Sequence, residues 1–319
     1  MKHSIKWAAL VGGLSLSPWA MGCSSCGCTL NSDWSSQGYT TSSGLHWDLR
    51  YDYFDQSQLR AGTGSVSRAS IALPAEAEIQ QNTINRNLTA GLDYSPSREW
   101  GVSLLVPYFD RPHTTIDEGE TELSGSHSRG LGDIRIIGRY QGFQPDLSIG
   151  VQFGLKLPTG KIDDTFRDGP LAGETVDRGL QLGTGTTDLL LGVYTVHSLG
   201  SRFAYFGNLM LQQPLNSRDE FKPGSGLNLT LGVRYTGVLP ANLSPQLQIN
   251  VRAEKRESGA NADVENSGAT LAYLSPGVGF RVTERLDGFA FVQVPVYQRV
   301  NGLQLQPRFF SSVGIRYRF

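Results

Sequence analysis

The sequence predicts an all-β fold, a transmembrane antiparallel up-and-down β-barrel of about 12 strands. Three observations carry the prediction. Runs of about ten residues alternate apolar and polar side chains from residue 44 to the end. The connections between the runs alternate long and short. The chain closes on such a run, with Phe319 as its last residue.

Composition sets the outer bounds. The chain has 319 residues, of which 38 are glycine and 12 tyrosine, and 18% are charged. That usage suits many strands and turns. The mean hydropathy of -0.24 is too polar for a bundle of membrane helices. Beyond the N-terminus no stretch holds the roughly 18 consecutive apolar residues that a membrane helix needs. The formal net charge of -1 gives no basic footprint, so nucleic acid is not an expected partner.

Residues 1–22 read as an export signal. Lys2, His3 and Lys6 form a positive start, Trp7 to Leu16 an apolar core, and Ala20 and Gly22 a small-residue cleavage site. Cleavage is expected after Gly22, with a site after Ala20 as the alternative. Cys23 directly after the cut also raises lipidation, but Ala20 and Met21 match a lipobox poorly.

Residues 23–43 form a Cys-containing segment, expected either in the periplasm or in the lumen as a small plug. Cys23, Cys26 and Cys28 are the only cysteines. Three closely spaced thiolates suit a soft metal, Cu(I) or Zn. A disulfide with one thiol left over, or a lipid on Cys23, are the competing readings. Haem attachment is excluded because Gly27 stands where the histidine belongs.

Residues 44–319 are the expected barrel. In 45–53, Leu45, Trp47, Leu49, Tyr51 and Tyr53 alternate with His46, Asp48, Arg50 and Asp52, so one face is apolar and the other polar. The same holds for Leu147 to Leu157, Leu227 to Tyr235, Leu247 to Glu254 and Val313 to Phe319. Aromatic residues sit at the ends of the apolar faces, where a bilayer has its headgroups. A soluble sandwich has no reason to place them there. The segments lie near 44–55, 83–94, 100–110, 130–142, 147–158, 186–197, 202–213, 226–237, 245–256, 269–282, 287–298 and 308–319. Ser275 and Pro276 predict a bulge or bend in the tenth. The second, fourth, sixth, eighth and tenth connections are short, as periplasmic turns are, and the odd-numbered ones long, as extracellular loops are. Both termini then face the periplasm.

This register turns Asp48, Asp52, Asp93, Asp133 and Glu254 inward, with Arg50, Arg135, Arg139, Lys156, Arg234, Arg252, Arg316 and Arg318. Either ion pairs close the lumen, or the excess of bases makes a weakly anion-preferring pore. Phe319 fits the terminal aromatic signal that the barrel-assembly machinery reads. The other expected partners are outer-membrane lipid, lipopolysaccharide and a small-molecule solute.

Two phrases carry a family resemblance. Residues 155–161 read Leu-Lys-Leu-Pro-Thr-Gly-Lys, and 182–192 read Leu-Gly-Thr-Gly-Thr-Thr-Asp-Leu-Leu-Leu-Gly. A strand ending in Leu-Pro-Thr-Gly, then a loop, then Gly-Thr-Gly-x-x-Asp opening the next strand, resembles the outer-membrane barrels grouped as meta-pathway phenol-degradation proteins. The resemblance implies an outer-membrane transporter of small, often aromatic, compounds. Read from the residues alone, Pro158, Gly160, Gly183 and Gly185 shape the loop ends.

No catalytic constellation is expected. His113 and His127 fall in a predicted loop 111–129, His197 at a turn, and His46 has Asp48 rather than serine two residues on. Asp117, Glu118, Glu120 and Glu122 read as a solvated, cation-binding loop. The expected function is a channel or transporter for small molecules, with hydrophobic or aromatic ones among them. The alternative is an accessory barrel whose cysteine cluster binds metal or carries redox chemistry.

Overall fold

A polypeptide in hydrocarbon must pair every backbone N–H and C=O within itself, and a sheet does so only by closing. The backbone of this chain closes. The structure is a computed structural model that describes Trp34 and residues 42–237 and 242–319. Its elements are β1 (Gly44–Gly62), β2 (Gly64–Ser65), β3 (Ile79–Ser95), β4 (Trp100–Ile116), β5 (Ser124–Leu131), β6 (Ile134–Tyr140), β7 (Ile149–Leu157), β8 (Phe166–Asp168), β9 (Asp188–Leu199), β10 (Phe203–Pro214), β11 (Gly226–Tyr235), β12 (Leu243–Glu254), β13 (Ala269–Arg281) and β14 (Leu286–Arg318).

Each wall strand pairs antiparallel with the next, and β1 pairs with both β3 and β14, which completes the ring. The ring holds eleven named strands. The last of them is 33 residues long and crosses the wall twice. It doubles back at Gly302 (φ 54°), and the Arg318 N–H donates to the Arg285 carbonyl. Its first half lies on β13 and its second on β1. The wall is therefore crossed about twelve times, an even number as outer-membrane barrels have.

Outward side chains are apolar and exposed: Trp47 and Tyr51 on β1, Leu231 and Val233 on β11, Val292 and Val294 on β14. Their neighbours in sequence or across the ladder, Asp52, Thr230, Gln248, Asn250 and Ser312, are buried inside. A greasy exterior and a polar interior are the arrangement a bilayer imposes on a barrel. No helix among the described residues is long and apolar enough to cross a membrane.

Three expectations need correction. The strands run well past the apolar band at the end away from the termini. His113 and His127, expected in a loop, lie in β4 and β5, with Pro112 opposite His127 and His113 opposite Ser126. The alternation marked where the lipid-facing band stops, whereas backbone pairing continues above it. The eleventh connection, expected to be long, is a tight turn at Asn301–Gly302, an Asn-Gly pair being a strong hairpin former. In β13 the register shift falls between Ala272 and Tyr273 rather than at Pro276.

The interior is also less uniformly polar than the register implied. Phe54, Leu271, Tyr273 and Phe310 pack together on the inner face of β1, β13 and β14, and Phe289 and Phe291 lie lower on β14. Phe291 lies over Gly277 and Phe289 over Gly314, positions where any Cβ would collide with the ring. The lumen wall on β1, β13 and β14 thus carries an aromatic cluster beside its charged residues.

Candidate functional site

The lumen is the candidate site, and it is organised in three levels. At the periplasmic rim, Asp93 collects His46 (3.4 Å), Ser103 (2.6 Å) and both terminal nitrogens of Arg139. Ser42 Oγ lies 2.8 Å from the other His46 nitrogen. Ser42, His46 and Asp93 thus stand in the order of a catalytic relay, which a search for serine beside histidine on one strand missed. His46 is only 2% exposed, and neither cavity of the lumen is lined by Ser42 or His46. We read the trio as a tie that fixes the rim. Beside it Arg316 makes a two-pronged pair with Asp48 (2.5 and 2.8 Å). The guanidinium sits 5.1 Å from the Trp34 ring, which meets Phe289 edge-on. Trp34 is therefore inside the lumen. The cysteines Cys23, Cys26 and Cys28 lie outside the described residues, and with them the Cu or Zn expectation. Among the described residues no group of three or more metal-binding side chains is placed to hold an ion.

Two cavities adjoin, one of about 60 Å³ just above the rim, lined by Trp34, Asp48 and Arg139, and one of about 190 Å³ at mid-height; they share Arg50, Thr89, Leu105 and Ile137 in their walls. Arg50 bonds Asp52 at 2.8 Å, and Arg252 bonds Glu254 at 2.7 Å.

The third level is a lid built from loop 158–187. Short strand β8 docks on β5, and Phe166, Val176 and Leu180 form a small core of their own. Arg111, reaching up from β4, donates to the carbonyls of Leu180 (3.0 Å), Gln181 (3.2 Å) and Gly179 (3.4 Å) and to Asn85 (2.8 Å). These bonds draw the loop inward over the larger cavity, whose lining includes Arg178 to Thr184 apart from Leu180.

The two sequence phrases meet at the base of this loop. One carboxylate, Asp133, accepts the Gly160 N–H (3.0 Å), the Thr184 N–H (3.0 Å), the Thr184 hydroxyl (3.1 Å) and Lys156 (3.0 Å). Lys156 also reaches Asp188 at 3.1 Å. The glycines let the two strands of chain touch. A Cβ on Gly160 would lie 2.7 Å from the Gly183 nitrogen, and one on Gly183 would lie 2.5 Å from Asp133. Lys156, Asp133 and Asp188 are all nearly fully buried, so each charge depends on the others.

The other expected site residues are placed as follows. Asp48, Arg50, Asp133, Arg135, Arg139, Lys156, Arg252, Glu254 and Arg316 line the cavities. Asp52 is buried beside Arg50 and Ser312. Arg234 lies across the ladder from buried Ala204 and Gln246, near the periplasmic end. Arg318 stays at the rim, held by the Glu284 carbonyl (2.8 Å) and Asp287 (3.0 Å). Phe319 is exposed and packs edge-on against Tyr317 at 5.1 Å. Sequence reading did not single out Arg111, Asn85, Thr184 or Gln181. Thr184 lay inside the second phrase, but nothing local marks Arg111 as a clamp on a loop about seventy residues away.

A closed antiparallel barrel with a lipid-facing apolar band and a polar, lidded lumen defines the class: this is a β-barrel protein of the outer membrane. No protein family matches the sequence, and no curated protein does. The fold is similar to that of an outer membrane channel from Pseudomonas putida F1, at a TM-score of 0.65 and 13% identity over 91% of this chain and 100% of that one. The toluene transporter of Ralstonia pickettii aligns at a TM-score of 0.48 with 9% identity, over 89% of this chain and 92% of that one. The translocator domain of an autotransporter from Neisseria meningitidis aligns at 0.49 with 11% identity, over the same shares.

Proposed function

We propose that this barrel is a channel or transporter for small molecules across the outer membrane. The observation that carries the reading is the pair of adjoining cavities inside the lumen, roofed by a loop that hydrogen bonds and ion pairs fasten to the barrel. A barrel serving only as an anchor or assembly scaffold has no need of an internal chamber. The likeness to a solved outer membrane channel is consistent with this reading, through fold alone.

The finer assignment, to transporters of the meta-pathway phenol-degradation kind, rests on the two loop phrases. Its support is that their residues, Lys156, Gly160, Gly183, Thr184 and Asp188, converge on one latch instead of merely turning the chain. Hydrophobic and aromatic solutes then become the first to try, given Phe109, Phe221, Leu105 and Met210 in the wall of the larger cavity. Purified full-length protein reconstituted into liposomes tests this. Solute-dependent swelling or single-channel conductance above that of empty liposomes is expected. A barrel that is correctly inserted and passes no small solute refutes it.

A further inference from the structure

The larger cavity has a chemical bias of its own. Six cationic side chains line it: Arg50, Arg111, Arg135, Lys156, Arg178 and Arg252. Three carboxylates do, Asp133, Glu254 and Glu257. Asp133 is engaged by Lys156 and the loop N–H groups, and Glu254 by Arg252. Glu257, in the loop after β12, is 5% exposed, and burial with Glu254, Asp263 and Asp177 nearby raises its carboxyl to about 8, so it is largely neutral at neutral pH. Carboxylates behind the wall answer part of this charge, Asp52 on Arg50, Asp188 on Lys156 and Asp219 on Arg178, so the excess of bases is small. Inside a low-dielectric wall even a small excess favours anions.

The rest of the wall mixes uncharged polar side chains, such as Asn87, Gln212 and Asn228, with apolar ones, and part of it is aromatic. The Arg111 guanidinium lies 5.3 Å from the centre of the Phe109 ring, and that of Arg178 lies 5.6 Å from Phe221. Phe109, half-buried, offers an apolar ring beside a fixed positive charge, whereas Phe221 is almost fully buried beneath Arg178 and presents little surface to the cavity. Arg135, exposed within the lumen, brings a further guanidinium to the same space. A planar carboxylate matches a guanidinium fork, and a ring matches the Phe109 platform. Size sets the upper limit. The cavity holds about 190 Å³, and roughly 150 Å³ suffices for one benzene molecule. One ring and one small head group fit.

We infer that the mid-lumen cavity is a binding site for single-ring aromatic carboxylates, with Arg135 and Arg50 reading the anionic head and Phe109 the ring. This deepens the channel reading by naming a solute class, and it is tested by binding, independently of transport.

The experiment is calorimetric titration of the full-length protein in detergent at neutral pH with benzoate and with benzamide, its neutral counterpart of the same shape. Benzoate is expected to bind about tenfold more tightly. Arg135→Gln, with Arg50→Gln as the second variant, should lower benzoate affinity much more than benzamide affinity and so remove the preference, each variant being first checked for native heat-modifiable migration on gels. Equal binding of the two ligands, no binding of either, or a benzoate preference that survives both substitutions overturns the proposal. Solute passage without benzoate binding would sink this inference and leave the channel reading standing. Benzoate binding in a barrel that passes nothing would do the reverse.

Discussion

Removing the Asp133 carboxylate should release the lid. Its two oxygens accept four hydrogen bonds, from Gly160, from the Thr184 amide and hydroxyl, and from Lys156. Asp133→Ala therefore strands two backbone N–H groups at the loop base and leaves Lys156, only 4% exposed, with Asp188 and Thr184 beside it. Breaking a buried ion pair on one side costs about 3–5 kcal/mol. The barrel wall is held by backbone pairing that does not involve this carboxylate, so the cost falls on loop closure. At 1.4 kcal/mol per power of ten, the open population should rise by roughly two orders of magnitude or more. Hydrogen exchange followed by mass spectrometry reads this directly in peptides covering 159–187. Faster exchange there, with unchanged protection in β10 to β14, is expected, and so is faster tryptic cleavage at Lys161, Arg167 and Arg178. Asp133→Asn, which keeps the shape and loses the charge, should fall between. If Asp133→Ala leaves loop exchange at the wild-type rate in an intact barrel, the latch is not what closes the lid.

Gly183→Ala should loosen the same latch by sterics alone. The new methyl would lie 2.5 Å from Asp133 and 2.6 Å from the Gly160 carbonyl, an overpacking worth about 1–3 kcal/mol in the same exchange measurement. Glu257 predicts a pH dependence. A carboxyl raised to about 8 from about 4.3 stabilises its fold fully below the lower value and loses that contribution as pH climbs through about 8. Exchange in loop 255–268, corrected for its intrinsic pH dependence, should accelerate across that range, and Glu257→Gln should flatten the step; a step that persists in the variant would remove Glu257 as its cause. Phe319→Ala should lower the amount of barrel in the outer membrane several-fold, yet leave refolding of pure protein into detergent unchanged, since Phe319 is exposed and its ring packs edge-on against Tyr317. Equal membrane levels would deny it a role in assembly.

The parts of the structure legible in the sequence are those written with a local period. The outward band of β11, from Leu227 to Val233, and the polar face from Asn228 to Arg234 follow from alternation alone. So does closure, because paired backbone in lipid admits no edge. Strand ends were less legible, since β4 continues through His113 to Ile116 above the apolar band, where water replaces lipid and alternation no longer has to be apolar. The aromatic wall was hidden for a different reason. In Phe289 to Val296 both faces are largely apolar, so period alone does not say which points inward, and the glycines opposite Phe289 and Phe291 only make sense once the strands are paired. The lid was the least legible part. Its phrases were visible, but the clamp from Arg111 and the convergence on Asp133 join residues from three separate hairpins.

The central claim is that alternate residues of each strand face lipid and lumen. Spin labels placed singly at positions 227 to 234, in a background with Cys23, Cys26 and Cys28 replaced by serine, test it in reconstituted bilayers. Collision with oxygen should peak at the odd positions and collision with a water-soluble nickel chelate at the even ones, in opposite phase with a period of two. Equal access of the chelate to both sets would contradict a membrane barrel.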